Sequence, residues 1–125
     1  MNVVVWVLQI VLALLFLGAG ANKLLQPKAK LVANPQMAWT EDFSEPMLKV
    51  IGGLEVLAVI GLIVPGLTGV ATVLTPLAAT GLALMMIGAI VVHGRRKESK
   101  PIVFNIVLLI LAVVVAWARF GPYAL

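Results

Sequence analysis

The chain has 125 residues, of which 62% are hydrophobic and only 11% are charged, and its mean hydropathy is +1.14. Soluble domains carry about 25% charged residues and could not bury this much apolar surface in one core, so the composition predicts an integral membrane protein. The lack of cysteine excludes disulfide and thiolate chemistry within the chain, and one histidine with five acidic residues makes a metal site unexpected.

The net charge of +4 comes from basic residues that cluster in the connecting segments. Cytoplasmic loops of membrane proteins concentrate lysine and arginine in this way. We therefore expect these segments on the cytoplasmic side of the inner membrane and both termini outside. Nucleic-acid binding is not expected, since no aromatic surface is interleaved with the charges. Eight of the nine basic residues belong to this set: Lys23, Lys28, Lys30, Lys49, Arg95, Arg96, Lys97 and Lys100.

The first predicted span covers residues 3–21. An apolar helix of this length crosses a hydrocarbon core of about 30 Å. A cleaved signal peptide is the alternative, because Ala19, Gly20 and Ala21 resemble a cleavage site. We favour a retained helix, since no basic residue precedes the apolar run and the run is longer than a typical signal-peptide core.

Residues 22–46 are predicted to form a cytoplasmic interfacial loop, in which Pro27 and Pro35 indicate turns. The sharper alternative is a lid that covers an opening of the helix bundle. Apolar and aromatic side chains of this loop suit the headgroup level of a bilayer, namely Met37, Trp39 and Phe43.

The second and third spans are predicted at 47–65 and 67–92. Ser44 is a suitable N-cap for the second span, and the dipeptide Pro65-Gly66 indicates a turn at its end. The third span is long and contains Pro76. Two interpretations stay open, because the helix either kinks at this proline or begins near it behind a threonine cap.

A basic cytoplasmic loop at 93–100 leads to the fourth span at 101–120, with Ser99 as the expected cap and Pro101 in the first turn. Short connections make consecutive spans antiparallel neighbours. The predicted fold is therefore all-α, a single membrane domain formed by an antiparallel bundle of four transmembrane helices.

Glu55 lies near the middle of the second span, about 12 Å from the start of the helix at 1.5 Å per residue. A central acidic residue costs about 2.5–3.5 kcal/mol even on lenient membrane-insertion scales. We therefore expect Glu55 to face the bundle interior and to be either paired or protonated.

The other three spans also carry their polar residues on one helical stripe each, separated by small residues, as interior faces of membrane bundles do. Helical depth predicts an inner polar cluster that forms a ligand or proton site: Glu55, Lys23, His93 and Asn105. Two residues are expected in the outer half, Gln9 and Arg119, with the arginine reaching outward to water. Four glycines are expected to allow close helix packing: Gly20, Gly52, Gly53 and Gly61.

These polar residues also have less specific, structural interpretations. Glu55 is equally well explained as a hydrogen-bonding residue that specifies the bundle, and His93 as a solvated interfacial residue. Asn105 and Gln9 are typical of interhelical contacts. A Lys23–Glu55 pair needs a long lysine reach or a deeper first helix, since about 10 Å separates the two backbones along the membrane normal.

The chain resembles the DoxX-like family of small four-helix membrane proteins. The resemblance rests on four stretches that together cover nearly the whole sequence: GAGANKLLQP, KVIGGLEVLAVIGLIVP, LTPLAATGLALMMIGAIVVHGRRKE and VVAWARFGP. It implies polar residues at Lys23, Glu55, His93 and Arg119, and it implies a role linked to quinones, redox reactions or sulfur stress. No catalytic residue is implied.

Three functions are consistent with these features. The first is a non-catalytic accessory subunit that serves a membrane or cytoplasmic redox partner and binds a quinone or lipid, as a monomer or a homo-oligomer. The second is a small proton-coupled transporter with Glu55 as its protonation switch, and the third is a purely structural membrane protein. An enzyme acting alone is least favoured, because the chain shows no nucleophile–base pair, no metal ligand set and no phosphate-binding loop.

Overall fold

The computed structural model describes residues 2–125, apart from the side chain of Gln36. Those residues form helices and connecting turns without any strand. Four of the helices are long and apolar enough to cross a membrane, which confirms the prediction of an all-α membrane bundle. The helices are α1 (Asn2–Leu25), α2 (Lys28–Ala33), α3 (Glu45–Thr68), α4 (Leu74–Arg95) and α5 (Ser99–Phe120), with a 3-10 segment (Pro35–Asp42) between α2 and α3.

Helix α1 continues beyond the predicted span and ends at Leu25. Its C-terminal carbonyl groups are bound by the ammonium group of Lys49, which donates to the oxygens of Lys23 at 2.7 Å, Leu24 at 3.1 Å and Gln26 at 2.6 Å. A cation at a helix C-terminus also interacts favourably with the helix dipole. The side chain that stabilises the C-terminal end of α1 therefore comes from another helix, α3.

Helix α3 begins behind Ser44, whose hydroxyl accepts a hydrogen bond from the Met47 amide at 3.3 Å. The expected turn at Pro65-Gly66 is wrong, since the helix runs through Pro65 and ends at Thr68, before a left-handed Gly69 with φ of 71°. A proline leaves the carbonyl one turn earlier without its helical donor. The Thr75 hydroxyl, on the next helix, donates to the oxygen of Gly61 at 2.8 Å, so this carbonyl is satisfied.

Helix α4 begins at Leu74, which places Pro76 in its first turn and leaves an irregular connection before it. Of the two interpretations, the start near Pro76 is therefore the one observed. The expected threonine cap is wrong, because Thr75 lies inside the helix and turns its hydroxyl toward α3.

Helix α5 begins at Ser99, one residue earlier than a serine cap would allow. Glu98 occupies the N-cap position without capping the helix through its side chain. Its carboxylate instead accepts a hydrogen bond from His93. The expected Ser99 cap is wrong, because Ser99 is already the first residue of the helix.

The four long helices form a closed bundle in which α1 packs on α3, α3 on α4 and α4 on α5. Helix α1 also contacts α5, and this seam is less closely packed than the α1–α3 and α4–α5 contacts. The middle of the bundle is filled by a core of buried apolar side chains, whose largest members are Leu12, Phe16, Leu62, Leu82, Met86 and Leu108. Large apolar residues cover the outside of the bundle, as lipid contact requires.

Candidate functional site

A partly open cavity of about 890 Å³ lies at the end of the bundle that carries the basic connections, which we call the basic end. Its walls come from α1, α3, α4, α5 and the 3-10 segment. All four residues of the predicted inner cluster line it: Lys23, Glu55, His93 and Asn105. Much of the remaining wall is apolar, including Phe16, Ile51, Met85, Met86, Phe104 and Leu108. Among the described residues, no group of three or more acidic or histidine side chains could hold a metal ion.

Lys23 and Glu55 form a buried ion pair in the wall of this cavity. The lysine Nζ lies 2.7 Å from Oε1 of Glu55, and the two side chains are only 8% and 3% exposed. The sequence left this pair open because of the distance between the backbones. It forms because α1 remains helical past Lys23 and because α1 approaches α3 very closely at this level.

The close approach of α1 to α3 depends on Gly20 and Gly52. A Cβ atom on Gly20 would lie 2.8 Å from the Gly52 carbonyl oxygen, and one on Gly52 would lie 2.9 Å from the Gly20 oxygen. Gly61 has a comparable role against α4, where a Cβ would lie 2.9 Å from that of Ala78. The same expectation for Gly53 is wrong: one residue further turns the position by about 100°, and a Cβ there would meet nothing within 4 Å.

Trp39 covers the polar side of the cavity from the 3-10 segment. The ammonium of Lys23 lies 5.7 Å from the centre of the indole ring, within range of a cation–π interaction. His93 meets the same ring edge-to-face at 5.9 Å, and Phe43 does so at 5.7 Å. The sequence placed Trp39 at the membrane surface and did not assign it to the site. The sequence indicated only that Trp39, like Met37 and Phe43, is an apolar or aromatic residue in a largely polar connection.

His93 is buried rather than solvated, and its Nδ1 atom hydrogen-bonds to Oε1 of Glu98 at 2.8 Å. Glu98 was not among the predicted site residues. It reaches His93 because the connection folds back on α4, with the Glu98 amide donating to the His93 carbonyl at 2.9 Å. The other imidazole nitrogen, Nε2, takes no part in this hydrogen bond.

Asn105 is only 8% exposed, yet its side chain makes no hydrogen bond with any described residue. Asn105 is also one of the residues that line the cavity. Buried amide groups ordinarily have hydrogen-bond partners. Asn105 therefore supplies the wall of this cavity with an amide that can both donate and accept hydrogen bonds.

The 3-10 segment is fastened to α4 by Arg96. One guanidinium nitrogen, Nη1, donates to Glu41 and to Asp42, each at 3.0 Å, while Nε lies 3.5 Å from Glu98. These hydrogen bonds, first that to Glu41 and then that to Asp42, raise the pKa of Arg96 above its ordinary value. The cavity is lined by three residues of this segment, Pro35, Met37 and Trp39, and by Phe43 directly after it. We call the segment the lid.

Substituting Arg96 with glutamine is expected to loosen this lid without unfolding the bundle. Exposed ion pairs contribute about 0–1 kcal/mol each, so the loss should remain local. Hydrogen exchange followed by mass spectrometry should show faster exchange of the amides in residues 35–42. Arg95→Gln is the matched control, because Arg95 is exposed and makes no contact of this kind with the described residues. Equal acceleration in both variants would contradict the role of Arg96.

Gln9 and Arg119 lie together near the opposite end of the bundle and do not line the cavity. Gln9 joins α1 to its neighbours: its Nε2 donates to the Leu62 oxygen at 2.7 Å, and its Oε1 accepts from Arg119 Nε at 2.6 Å. Arg119 does not reach outward as expected, since it is only 3% exposed. Its guanidinium instead donates to Asn2 at 2.6 Å and to the Tyr123 carbonyl at 2.7 Å.

Comparison with known proteins adds a family to this architecture. No curated protein and no solved structure shows significant similarity to the chain. A family model, however, matches residues 7–115, which include nearly all of the four long helices. On that match, the chain belongs to the DoxX-like family.

Proposed function

We propose that this DoxX-like protein is a non-catalytic accessory membrane subunit, linked to quinone-dependent redox or sulfur-stress systems, whose cavity holds a quinone or a lipid. The observation that carries the proposal is the cavity itself. Its volume of about 890 Å³ lies within the usual range for small-molecule sites. Such sites combine mostly apolar walls with a few convergent polar groups, which is the composition found here.

The polar groups suit a ligand whose head carries carbonyl or hydroxyl oxygens. Lys23 uses one N–H for Glu55 and retains others, while the Asn105 amide offers both a donor and an acceptor. The indole of Trp39 and the apolar side chains opposite it provide a flat surface for a ring or a glycerol backbone. A quinone head or an ester-linked lipid head satisfies these groups.

The orientation that accompanies this proposal places the basic end in the cytoplasm and both termini on the outer side of the cell membrane. It is supported by the concentration of lysine and arginine at one end of the bundle. The lid and the basic connection then face the cytoplasm, where a redox partner protein could dock. Self-association of the chain is compatible with the same arrangement.

A proton-coupled transporter with Glu55 as its switch is the alternative. It is favoured by the position of Glu55 in the cavity wall. Against it, the carboxylate is held by Lys23 at 2.7 Å, and the buried core fills the middle of the bundle. Proton flux in proteoliposomes that disappears in Glu55→Gln would support transport, and flux independent of Glu55 would end this alternative.

Ligand binding is expected to quench the fluorescence of Trp39. The experiment uses the full chain in lipid nanodiscs, with Trp6 and Trp117 replaced by phenylalanine, and decylubiquinone as the titrant. Quenching should saturate, because Trp39 lines the cavity. Asn105→Leu should weaken the affinity by up to about tenfold, the equivalent of one lost hydrogen bond.

The matched control retains Trp117 as the sole tryptophan. This residue is 58% exposed on the outside of the bundle and does not line the cavity. It should report only the linear, unsaturable quenching that quinone dissolved in the bilayer produces. Linear quenching of Trp39 as well would refute a quinone site in the cavity.

A further inference from the structure

The cavity adjoins a smaller hollow that lies between two helices at the side of the bundle. A second, wholly apolar hollow of about 170 Å³ lies between α1 and α5 and is lined by Leu15, Phe16, Ala19, Phe104 and Leu108. All of these residues except Leu15 also line the large cavity. The two spaces therefore share these four residues as a common wall, and the small hollow adjoins the large cavity on the side of the α1–α5 seam.

This hollow lies at the α1–α5 seam, the loosest contact between neighbouring long helices of the bundle. Helices α1 and α5 meet less closely than α1 and α3 or α4 and α5. Phe104 and Leu15 are 54% and 41% exposed on the outside of the bundle, where a bilayer would surround them. Between them, Ala19 contributes only a methyl group, which leaves the hollow unfilled.

Polarity changes sharply along the opening. On α1, Lys23 follows Ala19 by one helical turn, and on α5 Asn105 directly follows Phe104. The polar groups thus stand at the inner end, while the hollow between α1 and α5 is lined by no polar side chain. A molecule that satisfies both ends has a small polar head and a long apolar tail.

On the water-facing side, contacts of the 3-10 segment cover the part of the cavity that holds Lys23. Trp39 lies over Lys23 and beside His93, and the segment that carries it is fastened by Arg96. An amphiphile entering beneath Trp39 would have to displace these contacts. From the membrane it meets only the side chains of the α1–α5 seam.

From these features we infer that the ligand enters laterally from the bilayer through the α1–α5 seam, binds with its oxygen-bearing head near Lys23 and Asn105, and leaves its tail lying along Ala19 and Phe104 in contact with lipid. This inference rests on the proposed function and specifies the ligand as a tailed amphiphile. The seam, rather than the lid, is then the route of exchange.

The test compares decylubiquinone with its tailless parent benzoquinone, using the single-tryptophan Trp39 protein in nanodiscs. Ala19→Phe fills the hollow and should weaken binding of the tailed compound at least tenfold more than binding of the tailless one. Gly18→Phe is the matched control, because it adds the same ring on the adjacent position, where a Cβ meets nothing within 4 Å. It should alter neither affinity.

A second variant, Leu15→Trp, narrows the seam from its outer edge. It tests the same route if Ala19→Phe fails to fold. Circular dichroism verifies the helical content of all variants. Since the added indole would obscure Trp39, binding to this variant is measured by retention of radiolabelled quinone. Lysophosphatidylglycerol, added as a competitor, identifies the source of the amphiphile: displacement of decylubiquinone indicates a shared phospholipid site.

The outcomes are distinct. Saturable binding of both quinones with no effect of Ala19→Phe or Leu15→Trp would overturn the lateral route and leave the proposed cavity site intact. Equal weakening of both quinones would also overturn it, since the head site alone would then be disturbed. Absence of saturable binding by quinones and lysophospholipid alike would instead refute the proposed function.

Discussion

Glu55→Gln is expected to lower the free energy of unfolding by about 3–5 kcal/mol, because it leaves the buried ammonium of Lys23 without a counterion. Removing one partner of a buried pair is costly even when the replacement has the same shape. The reciprocal variant Lys23→Met should be similarly destabilised. The measurement is denaturant-induced unfolding of the purified protein, followed by its helical circular dichroism.

The double variant Lys23→Met/Glu55→Leu tests whether the losses of stability in the single variants come from breaking the ion pair. It buries no unpaired charge, so its stability should recover most of the loss seen in either single variant. Lys30→Met serves as the control for loss of a lysine, since Lys30 is exposed on α2. Additive losses in the double variant would show that the 2.7 Å contact does not couple the two residues.

Adjacent glycines on α3 are expected to respond to alanine in opposite directions. Gly52→Ala should destabilise the protein by about 1–3 kcal/mol, as overpacking does, because its Cβ would lie 2.9 Å from the backbone oxygen of Gly20. A backbone atom cannot rotate away, so α1 and α3 must separate. Gly53→Ala should stabilise the helix by up to about 1 kcal/mol, because alanine is the better helix former and its Cβ meets open space.

The separation of α1 from α3 also predicts a second readout. Lys23 contributes to the crowding at Gly52, since its Cβ lies 2.9 Å from the Cβ that alanine would add. Gly52→Ala should therefore weaken quinone-dependent quenching of Trp39, whereas Gly53→Ala should not change it. Equal stability of the two variants would contradict the close helix contact.

Much of the architecture follows from the sequence because hydropathy and helical periodicity are local properties. They indicated the four long helices, and the depth of Glu55 indicated an interior position with polar company. Helix ends were harder to predict, because they depend on distant partners. Lys49 prolongs α1 and Thr75 sustains α3 past Pro65, and neither contact follows from the residues near those ends.

The candidate site, too, could be predicted where it is formed by regular helices and not where it is formed by connections. Stripe positions on regular helices placed Lys23, Glu55, His93 and Asn105 near one another, and all of them line the cavity. Trp39 and Glu98 escaped prediction because they belong to connections, whose course periodicity does not describe. Gly53 was wrongly grouped with Gly52, because spacing alone does not distinguish a residue at a helix contact from its neighbour.

One oxygen atom links the surface of the basic end to its interior. Oε1 of Glu98 lies 2.8 Å from the buried imidazole of His93 and 3.5 Å from the guanidinium of Arg96, which also holds the lid. A protein that docked on this surface and drew Arg96 toward its own acidic groups would leave Glu98 to His93 alone. Any coupling between docking outside and occupancy inside would then pass through a single carboxylate, and thermodynamic linkage makes such a coupling equal in both directions.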